Sequence, residues 1–180
     1  MKVVAIVGMA GAGKSEVARV FGGHGFRKVR FGDITDEEIK NNGLELNEEN
    51  ERYIRQQLRE KHGMAAYAKL NLSRIDSLLE SSDVVVDGLY SWEEYILLKE
   101  RYGGQFITVA VWASAATRHA RLAHRAERPL TLEEAASRDR EEIENINKGG
   151  PIAMADFTIV NEASLEELRG ETDRVVSTLR

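Results

Sequence analysis

Residues Lys2 to Ser15 read KVVAIVGMAGAGKS, an apolar run that leads straight into Gly8-x-x-x-x-Gly13-Lys14-Ser15. That spacing is the pattern of a phosphate-binding loop set between a strand and a helix. Val3 to Val7 is almost wholly apolar, as a strand covered on both faces of a parallel sheet must be, and the residues from Ser15 onward (EVARVF) have helical spacing. Glycines allow consecutive backbone N–H groups to turn inward around phosphate oxygens, and the helix that starts near Gly13 adds the positive end of its dipole. Gly8, Gly11, Ala12 and Gly13 are therefore expected to cradle the phosphates of ATP, with Lys14 reaching the β and γ phosphates and the Ser15 hydroxyl holding Mg²⁺. A dinucleotide fingerprint beginning at Gly11 would need glycine at position 16, where Glu16 stands.

The remaining composition agrees with one soluble α/β domain. At 180 residues the chain is long enough for a substantial core, and 25 basic against 30 acidic residues give a net charge of −5 with no dense basic block. Neither nucleic acid nor an anionic membrane surface is favoured as a partner, so a small molecule is expected instead. The chain has no cysteine, which excludes disulfides, thiolate nucleophiles and thiolate zinc sites. Without a signal peptide or an 18-residue apolar run, the expected location is cytoplasmic, as a monomer or homodimer.

Outward from the loop, strands alternate with helices. Lys28 to Phe31 reads as a second strand ending at Gly32-Asp33, Asp83 to Asp87 (DVVVD) as a third, Phe106 to Trp112 as a fourth and Phe157 to Val160 as a fifth. Helix starts are expected at Thr35-x-x-Glu38, Asn47, Ser91-x-x-Glu94, Thr131-x-x-Glu134 and Ser164-x-x-Glu167. A further helix is expected over Ala115 to Ala126, the Thr131 helix should run to about Asn147, and Gly149-Gly150-Pro151 reads as a break. The alternation predicts right-handed crossovers and a doubly wound, five-stranded parallel sheet.

Asp87 ends an apolar strand, which is where a Walker-B-type carboxylate would hold Mg²⁺ together with Ser15. Arg118, Arg121 and Arg125 fall at i, i+3 and i+7, so on one helix they share a face. With Arg128 in the loop and Arg138 and Arg140 on the next helix, they form a candidate lid over the transferred phosphoryl group. Asp33, at the carboxyl end of the second strand, is a candidate to orient or deprotonate an acceptor hydroxyl. A GTPase would need N-K-x-D; Asn147-Lys148 lacks the Asp.

The phosphate loop, the Gly32-Asp33 turn, Val84-Val85-Val86-Asp87-Gly88, the arginine-bearing helix and Arg138-Asp139-Arg140 together resemble small P-loop kinases of the adenylate-kinase-related and dephospho-CoA-kinase-like type. The resemblance implies a helical acceptor segment over about 33–81, a lid over about 125–140, catalytic roles for Lys14, Asp33, Arg125 and Arg138, and nucleotide contacts from Arg121 and Asn161. Adenylate kinases carry arginines where this chain has Asp36 and, in Leu89-Tyr90-Ser91, no arginine, so nucleoside monophosphates are expected to be poor acceptors unless Arg52, Arg55 and Arg59 compensate. The implied activity is phosphoryl transfer from ATP to a nucleotide-like or other hydroxyl-bearing small molecule. A P-loop ATPase switch acting on a protein partner is the alternative.

Overall fold

The computed structural model describes residues 1–126 and 129–180. Five strands, β1 (Val3–Val7), β2 (Arg27–Arg30), β3 (Val84–Asp87), β4 (Phe106–Trp112) and β5 (Phe157–Val160), form one sheet in the order β2-β3-β1-β4-β5. Every neighbouring pair is parallel, with Ala5 of β1 opposite Val86 of β3 and Thr108 of β4. All five residues of β1 have no solvent exposure, because it is the middle strand and its side chains alternate between two apolar layers. Val3, Ala5 and Val7 join the layer that contains Phe31, Tyr67, Ile75 and Leu98, whereas Val4 and Ile6 face Val17, Phe21, Ile159 and Val176. Helices α1 (Lys14–Gly23) and α9 (Leu165–Thr178) cover the second layer. The first is covered chiefly by α4 (Ala66–Leu79) and α5 (Trp92–Tyr102). The doubly wound sheet is as expected.

Between β2 and β3 lie α2 (Asp33–Asn41), α3 (Glu48–His62) and α4, the helical excursion anticipated from sequence. Beyond β4 come α6 (Ala115–Ala123), α7 (Leu132–Glu144) and the short α8 (Gly149–Ala153). Ser91 and Thr131 each form the full capping box with Glu94 and Glu134, and Asn47 and Ser164 accept from the backbone N–H three residues on.

Three boundaries differ from expectation for identifiable reasons. Helix α2 starts at Asp33 behind Gly32, so Thr35 is interior, where its hydroxyl shares a 2.6 Å hydrogen bond with the Tyr67 hydroxyl instead of capping. Helix α6 stops at Ala123, where the His124 backbone N–H closes the last turn on the Ala120 carbonyl oxygen and the His124 ring nitrogen sits 2.8 Å from the same oxygen. Gly149-Gly150-Pro151 is not a break but the first turn of α8, where proline has no N–H to lose. The interruption falls instead at Asn147, the one non-glycine with positive φ (51°) among the described residues.

Candidate active site

The phosphate loop leaves the carboxyl end of β1, where the chain's two winding directions diverge and open α/β sheets form a crevice. Two of its glycines are obligatory on separate grounds. Gly8 has φ 153°, and a Cβ there would lie 2.4 Å from the Val111 carbonyl oxygen; Gly13 has φ 106°, and a Cβ would lie 2.4 Å from Asn161 Nδ2. Gly11 rests over the Arg118 carbonyl, and Ala12 is buried with its own carbonyl accepting 2.8 Å from Asn161 Nδ2. Asn161 therefore braces the loop from the end of β5, and Arg121 donates 3.0 Å to its carbonyl oxygen.

No side chain caps the N-terminus of α1, so its first-turn N–H groups are left to the loop's concave side. Lys14 Nζ donates 2.9 Å to Met9 O, curling over the loop, while Ser15 lies exposed on the first turn. Burial of the ammonium, and after it the charge of Lys148, pull the Lys14 pKa down to about 7 against the opposing pull of Glu142 and Asp87.

Asp87 is 4% exposed at the end of β3, opposite Ile6 of β1 and Arg30 of β2. Lys28 Nζ stands 2.8 Å from its Oδ2 as an ion pair, yet no hydrogen bond of ordinary geometry reaches that buried oxygen among the described residues. A carboxylate oxygen already holding a displaceable cation fits a metal ligand. Among the described residues no group of three His, Asp, Glu or Cys is placed to bind a metal alone. That suits Mg²⁺, which commonly takes one or two protein oxygens and completes its shell with phosphate and water.

Beside this machinery a cavity of about 130 Å³ opens between α2, α3 and α7. Its wall contains Arg30, Arg55, Arg59, Arg125 and Arg138 and as many carboxylates. Arg55 and Arg59 are thus brought to the cavity, whereas Arg52 points to Glu141 at 3.5 Å and is largely exposed. Arg30, which carried no sequence signal, comes from the strand end and donates to both Asp33 (2.8 Å) and Asp36 (2.7 Å). Asp33 itself is 41% exposed by side chain and engaged by Arg30, with Gly32 and Asp36 on either side forming the wall. Tyr90 closes the floor beneath Gly32 and Gly88.

The arginine set divides. Arg118 is buried and forms a bidentate pair with Asp139, both contacts 2.7 Å, while also donating to Ala10 O; it ties α6 to α7 and to the loop and is not on a shared face with Arg125, which lies beyond the end of α6. Arg125 and Arg138 do reach the cavity, close enough for their charges to act on each other, and Arg138 donates 3.0 Å to Glu48 of α3. Arg140 is exposed, and Arg128 lies outside the described residues.

The pair missed by sequence reading is Glu142 and Lys148. Lys148 has no exposure, its Nζ lies 2.9 Å from Glu142 Oε1 and 5.1 Å from the Tyr90 ring centroid. A separation of six residues matches no helical pairing rule, and only the left-handed turn at Asn147 folds the lysine back.

An all-parallel sheet with this loop on its middle strand and a carboxylate ending the strand beside it is the P-loop NTPase fold, of the kind small-molecule kinases share. The chain belongs to the UPF0200 proteins and carries an AAA domain, matched over residues 4–147. It is 37% identical to a UPF0200 protein of Thermococcus kodakarensis, over 98% of this chain and 97% of that one. Among solved structures, it is similar in fold to a shikimate kinase from Bacteroides thetaiotaomicron (TM-score 0.64, 13% identity, 99% of this chain and 98% of that one). A gluconokinase from Sinorhizobium meliloti is also similar (TM-score 0.58, 16% identity, 99% and 95%). Among the described residues, no helix is long and apolar enough to cross a membrane.

Proposed function

We propose that the protein is an ATP- and Mg²⁺-dependent kinase that transfers the γ-phosphoryl group to a hydroxyl of a small, anionic acceptor. The observation that carries this reading is the arginine-lined cavity beside the phosphate loop, sharing Arg138 and Glu142 with the surroundings of Lys14. Phosphoryl transfer asks the protein for positioning and for positive charge around the moving group. Gly8, Gly11, Ala12 and Gly13 would bind the donor phosphates through backbone N–H groups, Lys14 would hold the β and γ oxygens, and Arg121 and Asn161 would fix the donor side of the loop. Ser15 and Asp87 would hold Mg²⁺, which supplies charge neutralisation between the β and γ phosphates. Arg125 and Arg138 would face the γ-phosphoryl group from the lid. Asp33 would act through Arg30, keeping that guanidinium in the acceptor cavity.

Similarity in fold to shikimate and gluconate kinases supports a hydroxyl-bearing acceptor with an acidic group, and the resemblance to dephospho-CoA and adenylate kinases keeps nucleotide-like alcohols in the candidate set. The reading is tested at the metal. Changing Asp87 to Asn should raise the Mg²⁺ concentration needed for half-maximal ADP formation by roughly tenfold or more, as loss of a metal-holding carboxylate does. Superimposable Mg²⁺ titrations of the two proteins would leave Asp87 as a partner of Lys28 only.

A further inference from the structure

We propose that Glu142, held in place by Lys148, is the carboxylate that receives the acceptor hydroxyl during phosphoryl transfer. This rests on the kinase reading but assigns a group that the motifs do not. Glu142 is 8% exposed and lines the cavity; Oε1 pairs with Lys148 at 2.9 Å and with Arg138 Nε at 3.7 Å, while Oε2 is enclosed and has no hydrogen-bond partner among the described residues. A buried carboxylate oxygen without a donor is costly, and in a cavity wall it marks where a ligand hydroxyl belongs.

The construction behind Glu142 points the same way. Asn147 adopts a left-handed conformation that non-glycine residues seldom take, and Lys148 N–H donates 3.0 Å to Glu142 O. Helix α5 fixes the turn from the other side, because Trp92 N–H donates 3.3 Å to Ile146 O and a Cβ on Gly150 would meet the Trp92 ring at 2.6 Å. A fully buried lysine is expensive to retain, and here it is spent on orienting one carboxylate next to the phosphate-loop lysine. Lys148 and Glu142 are the two charges that act most strongly on Lys14. The other acidic candidates are engaged elsewhere, Asp33 with Arg30 and Asp87 with Lys28 at the metal position.

In the transfer step a bond forms between the acceptor oxygen and the γ phosphorus while the bond from that phosphorus to the β–γ bridging oxygen breaks. ADP leaves with the electron pair of the broken bond. The hydroxyl proton passes to Glu142 Oε2 and then to solvent. Burial alone would raise the Glu142 pKa, but Lys148, Lys14 and Arg138 outweigh it and hold the carboxyl at about 2. So strong an acid does not deprotonate an alcohol in advance. In a loose transition state it need not, because the nucleophile stays protonated until late and the carboxylate's first task is to accept its hydrogen bond.

The test uses the full chain with Mg·ATP and water as the probe acceptor, comparing single-turnover ADP formation with ATP dissociation constants from calorimetry. E142Q should bind ATP within about threefold of the parent while ADP formation falls on the order of a hundredfold, the usual worth of a positioned proton acceptor. Because replacing a buried ion pair by apolar side chains usually preserves folding, the double variant E142M/K148M supplies a folded control. It should melt cooperatively, bind ATP and show the same loss as E142Q, since the two residues act as a unit. Parent-like ADP formation by E142Q or by the folded double variant overturns the assignment while leaving the kinase reading intact. A parent that neither binds nor hydrolyses ATP overturns the kinase reading itself, and the assignment with it.

Discussion

Lys14 illustrates how one residue type at one position carries both a structural cost and a functional gain. Burial of its ammonium and the charge of Lys148 together depress its pKa to about 7, and its Nζ donates 2.9 Å to the Met9 carbonyl. A triphosphate reverses that balance by placing several negative charges against it. The sign follows directly: above pH 7 the free protein's Lys14 is largely neutral, the ATP-bound one is protonated, so binding takes up a proton and weakens as pH rises. Calorimetry at about pH 8.5 in buffers of different ionisation enthalpy should register uptake approaching one proton per ATP, absent from K14M. Uptake equal in both proteins would place the titrating group elsewhere. Asp87 shows the complementary case, an acid whose partner Lys28 is 38% exposed by side chain and free to yield to a metal.

At the scale of elements, α7 joins the surroundings of the phosphate loop to the arginine-lined cavity. Its inward face presents Arg138 to Glu48 of α3 and Glu142 to Lys148, and Asp139 clamps α6 through Arg118. Arg138 is thus paired across the cavity, and on the proposed function a developing negative charge on the phosphoryl group would compete for it. Replacing Arg138 by Met should lower kcat tenfold or more with ATP affinity nearly unchanged, because the contact matures only as charge develops. A loss confined to ATP affinity would mark Arg138 as a ground-state contact. The helix starts at Ser91, Thr131 and Ser164 were legible because a hydroxyl accepts from the backbone N–H three residues on, and at Ser91 and Thr131 the glutamate there accepts in return. Thr35 and Glu38 carry the same letters, but Gly32 had already begun the helix and the threonine was claimed by Tyr67. Local pattern cannot report such a tertiary partner. For the same reason Arg118 looked like a lid residue, when only the fold reveals Asp139 beside it.

For the whole molecule, the sheet was readable because buried parallel strands are short apolar runs with distinctive ends, and the phosphate loop is among the most specific motifs a chain can carry. The proposed acceptor cavity was not, because its wall is assembled from β2, α2, α3 and α7, and residues such as Arg30 and Glu142 are brought together only when those elements meet. Asp36 and Tyr90 stand where a monophosphate-binding arginine was anticipated and missing, and the cavity's arginines come from other positions, balanced by an equal number of carboxylates. A dianionic phosphate monoester would have to displace those pairs at a cost, so AMP, CMP, UMP and GMP should be poor acceptors, with kcat/KM well below the roughly 10⁴ M⁻¹s⁻¹ of ordinary enzymes on their substrates. A steady-state panel of the four decides the point, and efficient turnover of any one would assign Arg55 and Arg59 to its phosphate.

The most direct measurement follows the γ phosphorus. With radiolabelled ATP, Mg²⁺ and a panel of hydroxy acids, polyols, nucleosides and dephospho-CoA, the label should appear in an organic acceptor, and in K14A that transfer should fall by on the order of a hundredfold or more. Label released only as inorganic phosphate at the same rate whatever is added, or transfer unchanged in K14A, would contradict the kinase account.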